Sequence, residues 1–384
     1  MTKNIPLSVP NLKGNELKYV SNAVETEWVS SGGPYVGQFE KNIAKYVNSK
    51  DAVSCQNGTA GLHIALQLCN VLRNDEVIVP TLTFIAAVNP VKYIGAEPVF
   101  MDCNDDLSID PVKLHDFCQH ECIYQDNQLI NKKTKRQIKA IVVVHVFGNM
   151  SDMEKIMRIA NLYKLKVIED ATEALGTYYI SGAYKGRHAG TIGDVGVYSF
   201  NGNKIITTGG GGMIVSNDMN LISRAKHLTT QAKADELYYI HDEIGFNYRM
   251  TNLQAALGIA QLEQLEAFIK IKKENYELYK IEISKISGLN ILDFNKNTRP
   301  NYWFYALYVE PNYSFNRDDL IKHLSSKGIQ TRPIWGLIND QKPYLNNQSY
   351  KIQKAKQYLN NVVNIPCSSN LTKEDVEYVL SYLK

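Results

Sequence analysis

The sequence predicts an α/β protein with a mainly parallel β-sheet and a smaller C-terminal domain. Short apolar runs typical of strands alternate with helical patterns through the first 250 residues. The run "IKAIVVVHV" at 138–146 is almost continuously apolar, as expected for a strand buried on both faces of a parallel sheet. After Thr251 the pattern changes, because apolar residues then recur at the three- and four-residue spacing of an amphipathic helix.

These patterns divide the chain into a large domain over 1–250, a bridging helix over 251–284 and a small domain over 285–384. The strands predicted in the large domain are 51–56, 75–80, 97–102, 138–146, 164–170, 194–200 and 211–216, with helices over 58–69 and 83–93 and one opening at 151. The bridging segment is predicted as one long helix, continuous or interrupted. The small domain has a predicted aromatic strand at 302–309 and helices over 316–328 and 372–384.

The composition excludes several classes of function. The formal net charge of +3 over 384 residues is too small and dispersed to indicate a nucleic acid or a membrane surface as partner. Neither a signal peptide nor an apolar run of about 18 residues is visible, so we expect a cytoplasmic protein. The six cysteines are scattered without a second Cys or His pair at metal-ligand spacing, so we expect reduced thiols and no metal site.

Candidate site residues follow the predicted strands, where active sites of open α/β sheets form. In "QNGTAGL", Gly58 allows a tight turn, and the Thr59 and Ala60 amides at the next helix N-terminus would suit a phosphate. An ordinary turn with an Asn cap is the alternative. Glu169 and Asp170 end a buried strand, and Asp170 would either hold a proton on a pyridine nitrogen or cap a helix.

Lys204 lies between a strand and four consecutive glycines in "SFNGNKIITTGGGG". A lysine attacks a carbonyl only as the free amine, which requires desolvation or a nearby cation, and a solvated surface lysine is the alternative. Ser199 would donate to a phosphate or simply end its strand, and Phe84 would stack on a planar cofactor or pack in the core. Each signal is weak alone, but their order along the chain is specific.

With these motifs the chain resembles the DegT/DnrJ/EryC1/StrS family of sugar aminotransferases, from "SVPNLKGNELKYV" to the last helix. The most specific segments are "NGTAGLHIAL", "PTLTFIA", "VVHVFGN", "VIEDATEALG", "GVYSFNGNKIITTGGGGM" and "GFNYRMTNLQAALG". The resemblance implies the aspartate-aminotransferase fold (type I), with a mostly parallel seven-stranded sheet between helices and a small α+β domain. It also implies pyridoxal 5′-phosphate as cofactor and a homodimer with shared sites.

The resemblance also implies roles for individual residues. Lys204 would bond covalently to the cofactor, Asp170 would pair with its ring nitrogen, and Phe84 would lie against the ring. The implied phosphate ligands are the amides of Thr59 and Ala60, the hydroxyl of Ser199, and Asn247 of the neighbouring subunit. We interpret Arg249 as part of a buried structural ion pair and His145 as a strand-end histidine bonded to the backbone.

One position departs from the family pattern. The family usually has Gln or His three residues after the aspartate, donating a hydrogen bond to the oxygen on the cofactor ring, whereas this chain has Glu173. An ionised carboxylate cannot donate a hydrogen bond. Either burial keeps Glu173 protonated or another group serves the ring oxygen.

The predicted substrates are L-glutamate and a nucleotide-linked ketosugar. Four motifs, "SVPNLKGNELKYV", "TEWVSSGGPYVGQFE", "EDATE" and "SFNGNKIIT", resemble the branch of the family that makes 4-amino-4,6-dideoxy sugars for bacillosamine or legionaminic acid. This resemblance implies a UDP-linked 2-acetamido-2,6-dideoxy-hexos-4-ulose as acceptor. A GDP-linked carrier and perosamine-type sugars are alternatives. Ser31 in "WVSSGG" is a candidate sugar ligand, and Arg332 in "TRPIW" is a candidate ligand of the nucleotide or the donor carboxylate; a structural loop is the alternative for both.

Three other functions are alternatives to an aminotransferase. A sugar dehydratase of the same fold would carry histidine in place of Lys204. A regulatory protein that merely retains the cofactor would not turn over. A nucleotide-hydrolysing enzyme is excluded because "GNKIITTGGGG" is not the phosphate-binding pattern GxxxxGK[ST].

Overall fold

The computed structural model describes residues 3–384. Its helices are α1 Glu16–Glu25, α2 Pro34–Val47, α3 Gly58–Leu68, α4 Asn89–Tyr93, α5 Pro111–His120, α6 Met153–Tyr163, α7 Met219–Thr229, α8 Asn252–Glu263, α9 Leu265–Ile283, α10 Arg317–Ser326, α11 Lys354–Asn361 and α12 Lys373–Ser381. No helix among these residues is both long enough and apolar enough to cross a bilayer.

The strands form one large sheet, a smaller sheet and two short pairs. They are β1 Asp51–Cys55, β2 Glu76–Pro80, β3 Glu97–Met101, β4 Cys122–Gln125, β5 Gln128–Asn131, β6 Gln137–Val144, β7 Lys166–Asp170, β8 Tyr178–Tyr179, β9 Val195–Ser199, β10 Gly212–Ser216, β11 Lys233–Asp235, β12 Ile240–His241, β13 Leu289–Ile291, β14 Thr298–Arg299, β15 Tyr305–Val309, β16 Arg332–Pro333, β17 Ser349–Tyr350 and β18 Val362–Ile365.

The large sheet confirms the predicted mostly parallel arrangement. Its main strand order is β1-β10-β9-β7-β6-β2-β3-β17, and only β10 in this order runs antiparallel to its neighbours. Seven of these strands are the predicted ones; β17 and the β4–β5 hairpin beside β6 extend the sheet to ten. The run at 138–146 forms most of β6, whose residues 140–144 are all buried, as its continuous apolar pattern predicts.

The predicted helix over 83–93 was wrong. The structure has a 3₁₀ turn at Ile85–Ala87 and then the short α4, and Phe84 before them is extended. Pro90 explains the break, because it has no amide proton to donate to the carbonyl of Ala86. This extended segment keeps Phe84 at the carboxyl edge of the sheet.

The bridging segment is two helices, α8 and α9, which meet at Gln264. Helix α8 packs on α1 and α2 of the large domain, whereas α9 packs on β13 and α12 of the C-terminal part. The four-stranded sheet β13-β15-β18-β16 forms the core of that part. Two further backbone pairings join segments far apart in the sequence. Ile5 pairs with Ile329 of the C-terminal part, and β17 of the C-terminal part pairs with β3 of the large sheet.

Candidate active site

A cavity of about 340 Å³ opens at the carboxyl ends of β6, β7 and β9, against the N-terminus of α3. Parallel strands end at the same edge of a sheet, so residues distant in sequence meet there. The predicted residues that line it are Thr59, Phe84, Asp170, Glu173, Ser199 and Lys204. The sequence order of the motifs therefore corresponds to one place in the fold.

Two neighbouring acids leave the end of β7 on opposite faces, because side chains alternate along a strand. Asp170 lines the cavity and accepts a hydrogen bond from the Thr172 amide at 3.1 Å. Burial raises the pKa of Asp170, against the opposing effect of that hydrogen bond and of the Lys204 charge. Asp170 is therefore a desolvated acid facing the cavity, suited to a positively charged partner.

Glu169 serves the fold on the other face of β7. Its carboxylate accepts hydrogen bonds from the amides of Gly190, Ile192 and Gly193, and lies 2.8 Å from His145 Nε2. The Ser151 amide donates to His145 Nδ1 at 3.2 Å, so Nε2 carries the proton in the neutral ring. The backbone bond expected for His145 is present, and the Glu169 carboxylate is an additional partner.

Lys204 follows β9 on the turn that leads to the four glycines, with 13% of its side chain exposed. Its Nζ lies 3.6 Å from Glu173 Oε1 and 4.3 Å from the centroid of the Trp303 ring. The Trp303 indole donates to the carbonyl of Asn203 at 2.7 Å, which fixes the ring against the turn. The Lys204 amine therefore lies between the Glu173 carboxylate and the face of the Trp303 ring, and it is not a solvated surface lysine.

Glu173 is buried at the cavity wall, with its side chain 5% exposed. Its Oε2 accepts the Phe147 amide at 2.8 Å, and its Oε1 faces Lys204. Burial is the largest influence on the Glu173 carboxyl and raises its pKa to about 7, although the Lys204 charge and the Phe147 amide oppose it. Where the family usually has Gln or His, this chain therefore has a carboxyl group, that of Glu173, whose pKa lies near 7.

The N-terminus of α3 supplies donors at the other end of the cavity. The first amides of a helix have no intrahelical partner, and here Gly58 and Thr59, at the start of α3, line the cavity. A Cβ on Gly58 would lie 2.9 Å from Thr172 Cγ2 and 3.0 Å from Ser199 Cβ, so only glycine brings this backbone so close. The Ala60 amide instead donates to Asn57 Oδ1 at 2.8 Å, which is the Asn cap left open as the alternative.

Aromatic side chains form the remaining walls. Phe84 is 54% exposed at the cavity, so it is not a core residue in this chain. Trp303, Phe304 and Trp335 reach the cavity from the C-terminal part, and the rings of Trp303 and Phe304 stack at 4.0 Å. These three rings were not predicted to line the site, although "YWFY" and "IW" are conspicuous aromatic clusters.

Four candidates lie away from this cavity. Ser31 and Arg249 line a second cavity of about 190 Å³, together with Lys226 and Lys233. Arg249 was expected in a buried ion pair, but it is half-buried and donates to the amide oxygens of Asn247 at 3.2 Å and Gln231 at 3.5 Å. Asn247 is exposed. Arg332, on the exposed strand β16, contacts only the carbonyl of Thr331 through its guanidinium among the described residues.

The donor set fits a phosphorylated aromatic aldehyde. The free α3 amides and Ser199 suit its phosphate, the desolvated Asp170 suits a protonated ring nitrogen, and Lys204 suits the aldehyde carbon. Glycine at position 58 lets the start of α3 lie directly against Ser199 and Thr172, where a Cβ would be too close to both.

Comparison with known proteins agrees with this fit. A family model described as the DegT/DnrJ/EryC1/StrS aminotransferase family matches residues 10–384. GDP-perosamine synthase of Escherichia coli O157:H7 is 38% identical over 381 residues, covering 98% of this chain and 97% of that protein. The UDP-4-amino-4,6-dideoxy-N-acetyl-beta-L-altrosamine transaminase of Campylobacter jejuni is 29% identical over 387 residues, covering 98% and 95%. An aminotransferase structure from Psychrobacter cryohalolentis superposes with a TM-score of 0.86 at 27% identity, covering 98% of both chains.

Proposed function

The chain belongs to the DegT/DnrJ/EryC1/StrS aminotransferase family, and from this premise we propose that it moves an amino group from L-glutamate to C4 of a nucleotide-linked 4-keto-6-deoxy sugar. It is a pyridoxal 5′-phosphate-dependent aminotransferase whose acceptors are nucleotide sugars. The observation that carries the proposal is the convergence of Lys204, Asp170 and Ser199 on one cavity at the sheet edge.

The residue roles follow from the cavity. When bound, pyridoxal phosphate supplies an exchangeable aldehyde and a ring that accepts electrons. Lys204 is proposed to hold it covalently and to move the proton at the reacting carbon, because Lys204 lines the cavity with only 13% of its side chain exposed. Asp170 would keep the ring nitrogen protonated, and Phe84 would cover the ring. The proposed phosphate ligands are Ser199, Thr59 and Ala60, whose amide would first have to leave Asn57.

We propose that Asn247 completes the phosphate site of a second copy of the chain. Asn247 is exposed, lies outside the cavity of its own chain and contacts Arg249. Ser31 and Arg249 share a second cavity with Lys233, Glu236 and a Lys226 that is paired with Glu40, and Lys233 and Arg249 are proposed to meet the diphosphate of a nucleotide bound in the partner. Arg332, exposed on β16, is proposed to meet the nucleotide or the donor carboxylate.

Two acceptor carriers are proposed, each on its own observation. The N-terminal motifs "SVPNLKGNELKYV" and "TEWVSSGGPYVGQFE", together with "EDATE" and "SFNGNKIIT", favour a UDP-linked 2-acetamido-2,6-dideoxy-hexos-4-ulose. The 38% identity to a GDP-perosamine synthase favours a GDP-linked 4-keto-6-deoxy sugar, as in perosamine formation.

Two spectroscopic experiments test these proposals. Purified yellow protein should bleach with L-glutamate and regain its colour only when the right ketosugar is added. UDP-linked and GDP-linked 4-keto sugars, assayed side by side with 4-hydroxy sugars as controls, identify the carrier. A protein that stays yellow with every amino donor would contradict the proposed reaction.

A further inference from the structure

We propose that Glu173 is the general base that takes a proton from Lys204 Nζ and so prepares the free amine. In this step an N–H bond of the ammonium breaks and an O–H bond forms on Glu173 Oε1, which converts a buried ion pair into an uncharged amine and an uncharged acid. No electrons leave or enter the pair. The inference rests on the proposed function, since Lys204 must be the residue that bonds to the cofactor.

The two oxygens of Glu173 have different surroundings. Oε2 accepts the Phe147 amide at 2.8 Å, and Oε1 lies 3.6 Å from Lys204 Nζ. An oxygen that already accepts an N–H hydrogen bond is the poorer place for a proton, so the proton belongs on Oε1. That oxygen faces the amine, and a rotation of the flexible lysine chain closes the remaining distance to a hydrogen bond.

Contacts within the protein hold the backbone around Glu173. Phe147 has a φ of 57°, a left-handed conformation that is costly for an aromatic residue, and this conformation points its amide at Glu173. Asn301 is buried and donates to the carbonyls of Glu173 and Leu175 at 2.8 and 3.0 Å. A Cβ on Gly148 would lie 1.8 Å from Asn301 Oδ1, so Asn301 can occupy this position only because residue 148 is glycine.

Burial disfavours the charged form of Glu173, whereas the charge of Lys204 favours it. Both side chains are largely withdrawn from water, and a buried ion pair loses hydration that its mutual attraction only partly replaces. The charged groups that act on Glu173 are Lys204 and the carboxylate of Asp170, and the second disfavours another negative charge. Because burial raises the Glu173 pKa to about 7, the carboxyl can both accept a proton and return it near neutral pH.

A glutamine at position 173 could hydrogen-bond like the neutral acid but could not exchange a proton. The test therefore compares wild type with Glu173→Gln and Glu173→Asp, using Glu274→Gln, an exposed glutamate, as a matched control. Full-length protein freed of cofactor is mixed with saturating pyridoxal phosphate between about pH 5.5 and 8.5. The rate at which a borohydride-stable adduct forms on Lys204 is followed by mass spectrometry of the trapped peptide.

We expect the wild-type rate to rise with pH to a plateau, with a midpoint near the carboxyl titration. Glu173→Gln should slow adduct formation about 100-fold at neutral pH and lose that midpoint, since general bases typically contribute factors of this order. Glu173→Asp should be intermediate, and Glu274→Gln should match wild type. Saturating cofactor separates bond formation from binding, and thermal unfolding of each variant reports whether it folds.

A Glu173→Gln variant with the wild-type rate and pH profile would overturn the role of Glu173 and leave the aminotransferase proposal intact. If Glu173→Gln does not fold, Glu173→Met, which also lacks the carboxyl group, takes its place, and a wild-type rate in that variant has the same meaning. Wild-type protein that forms its adduct on another lysine would instead overturn the assignment of Lys204, and the role of Glu173 with it.

Discussion

The indole ring of Trp303 lies 4.3 Å from Lys204 Nζ and so brings the C-terminal part of the fold against the amine of Lys204. Its N–H bond to the carbonyl of Asn203 holds the ring under the lysine turn. An aromatic face stabilises a cation by about 0.5 to 2 kcal/mol, more when the site is desolvated. We therefore interpret Trp303 as a positioning residue for Lys204, although the two residues are far apart in the sequence.

Replacing Trp303 should separate these two contributions. Trp303→Phe retains an aromatic face but loses the bond to Asn203, whereas Trp303→Leu loses both. We expect the half-reaction with glutamate to slow by about 3-fold in the first and about 10-fold or more in the second, from the energy of the lost contacts. Stopped-flow absorbance of the holoenzyme measures both rates, and equal rates in the two variants would show that the aromatic face contributes nothing.

Asn301 should be a stability determinant of the site. Asn301→Ala removes the donors to the buried carbonyls of Glu173 and Leu175, and each unsatisfied group costs about 1 to 3 kcal/mol. We expect the free energy of unfolding in urea to fall by about 3 kcal/mol. Asn346→Ala, at an exposed position, is the matched control and should change it by less than about 0.5 kcal/mol.

Glu169 should stabilise the fold in its ionised form. Burial alone would raise its pKa, but the His145 contact and the amides of Gly193 and Gly190 outweigh burial and lower it. A lowered carboxyl pKa gives stability that is present above the unfolded value of about 4.3 and is lost as the pH falls below it. Glu169→Gln should therefore lower the melting temperature at pH 7 and flatten its fall in acid. A wild-type acid slope in this variant would contradict the assignment.

Glu173 should have the opposite pH dependence in protein freed of cofactor. Its pKa is raised from 4.5 to about 7, so the folded state binds the extra proton between these values. Stability is then fully present below about pH 4.5 and decreases as the pH rises to 7, by about 3 kcal/mol. Urea unfolding across this range should show the decrease in wild type. Glu173→Gln should lack it, and an unchanged slope would place the titration elsewhere.

Local patterns predicted the strands of the large sheet, and several of the residues predicted at strand ends line one cavity, since a buried strand such as β6 and a strand-end acid such as Asp170 have local signatures. The aromatic wall was missed because Trp303 and Trp335 reach the cavity only after the C-terminal part folds over the large domain. The left-handed backbone of Phe147 was equally hidden, because its partners come from distant segments: its amide donates to Glu173, and its carbonyl accepts the Phe304 amide. No local pattern encodes either contact.

Asn247 offers a test of whether two chains share each site. Asn247→Asp should weaken cofactor binding about 10- to 100-fold, because a carboxylate cannot donate to a phosphate and repels it. Lys204→Ala should be inactive. If Asn247 serves the neighbouring chain, a mixed dimer of these two variants contains one site with both native residues.

Co-expression of the two variants with different tags gives this mixed dimer. Random pairing makes half of the dimers mixed, and each mixed dimer has one native site of two, so about a quarter of all sites should regain wild-type cofactor affinity and turnover. If Asn247 instead acted within its own chain, each site of the mixed dimer would carry one defect, and the doubly tagged fraction would show no recovery. The purified mixed dimer, with each parent dimer as control, therefore decides between a shared and a self-contained site.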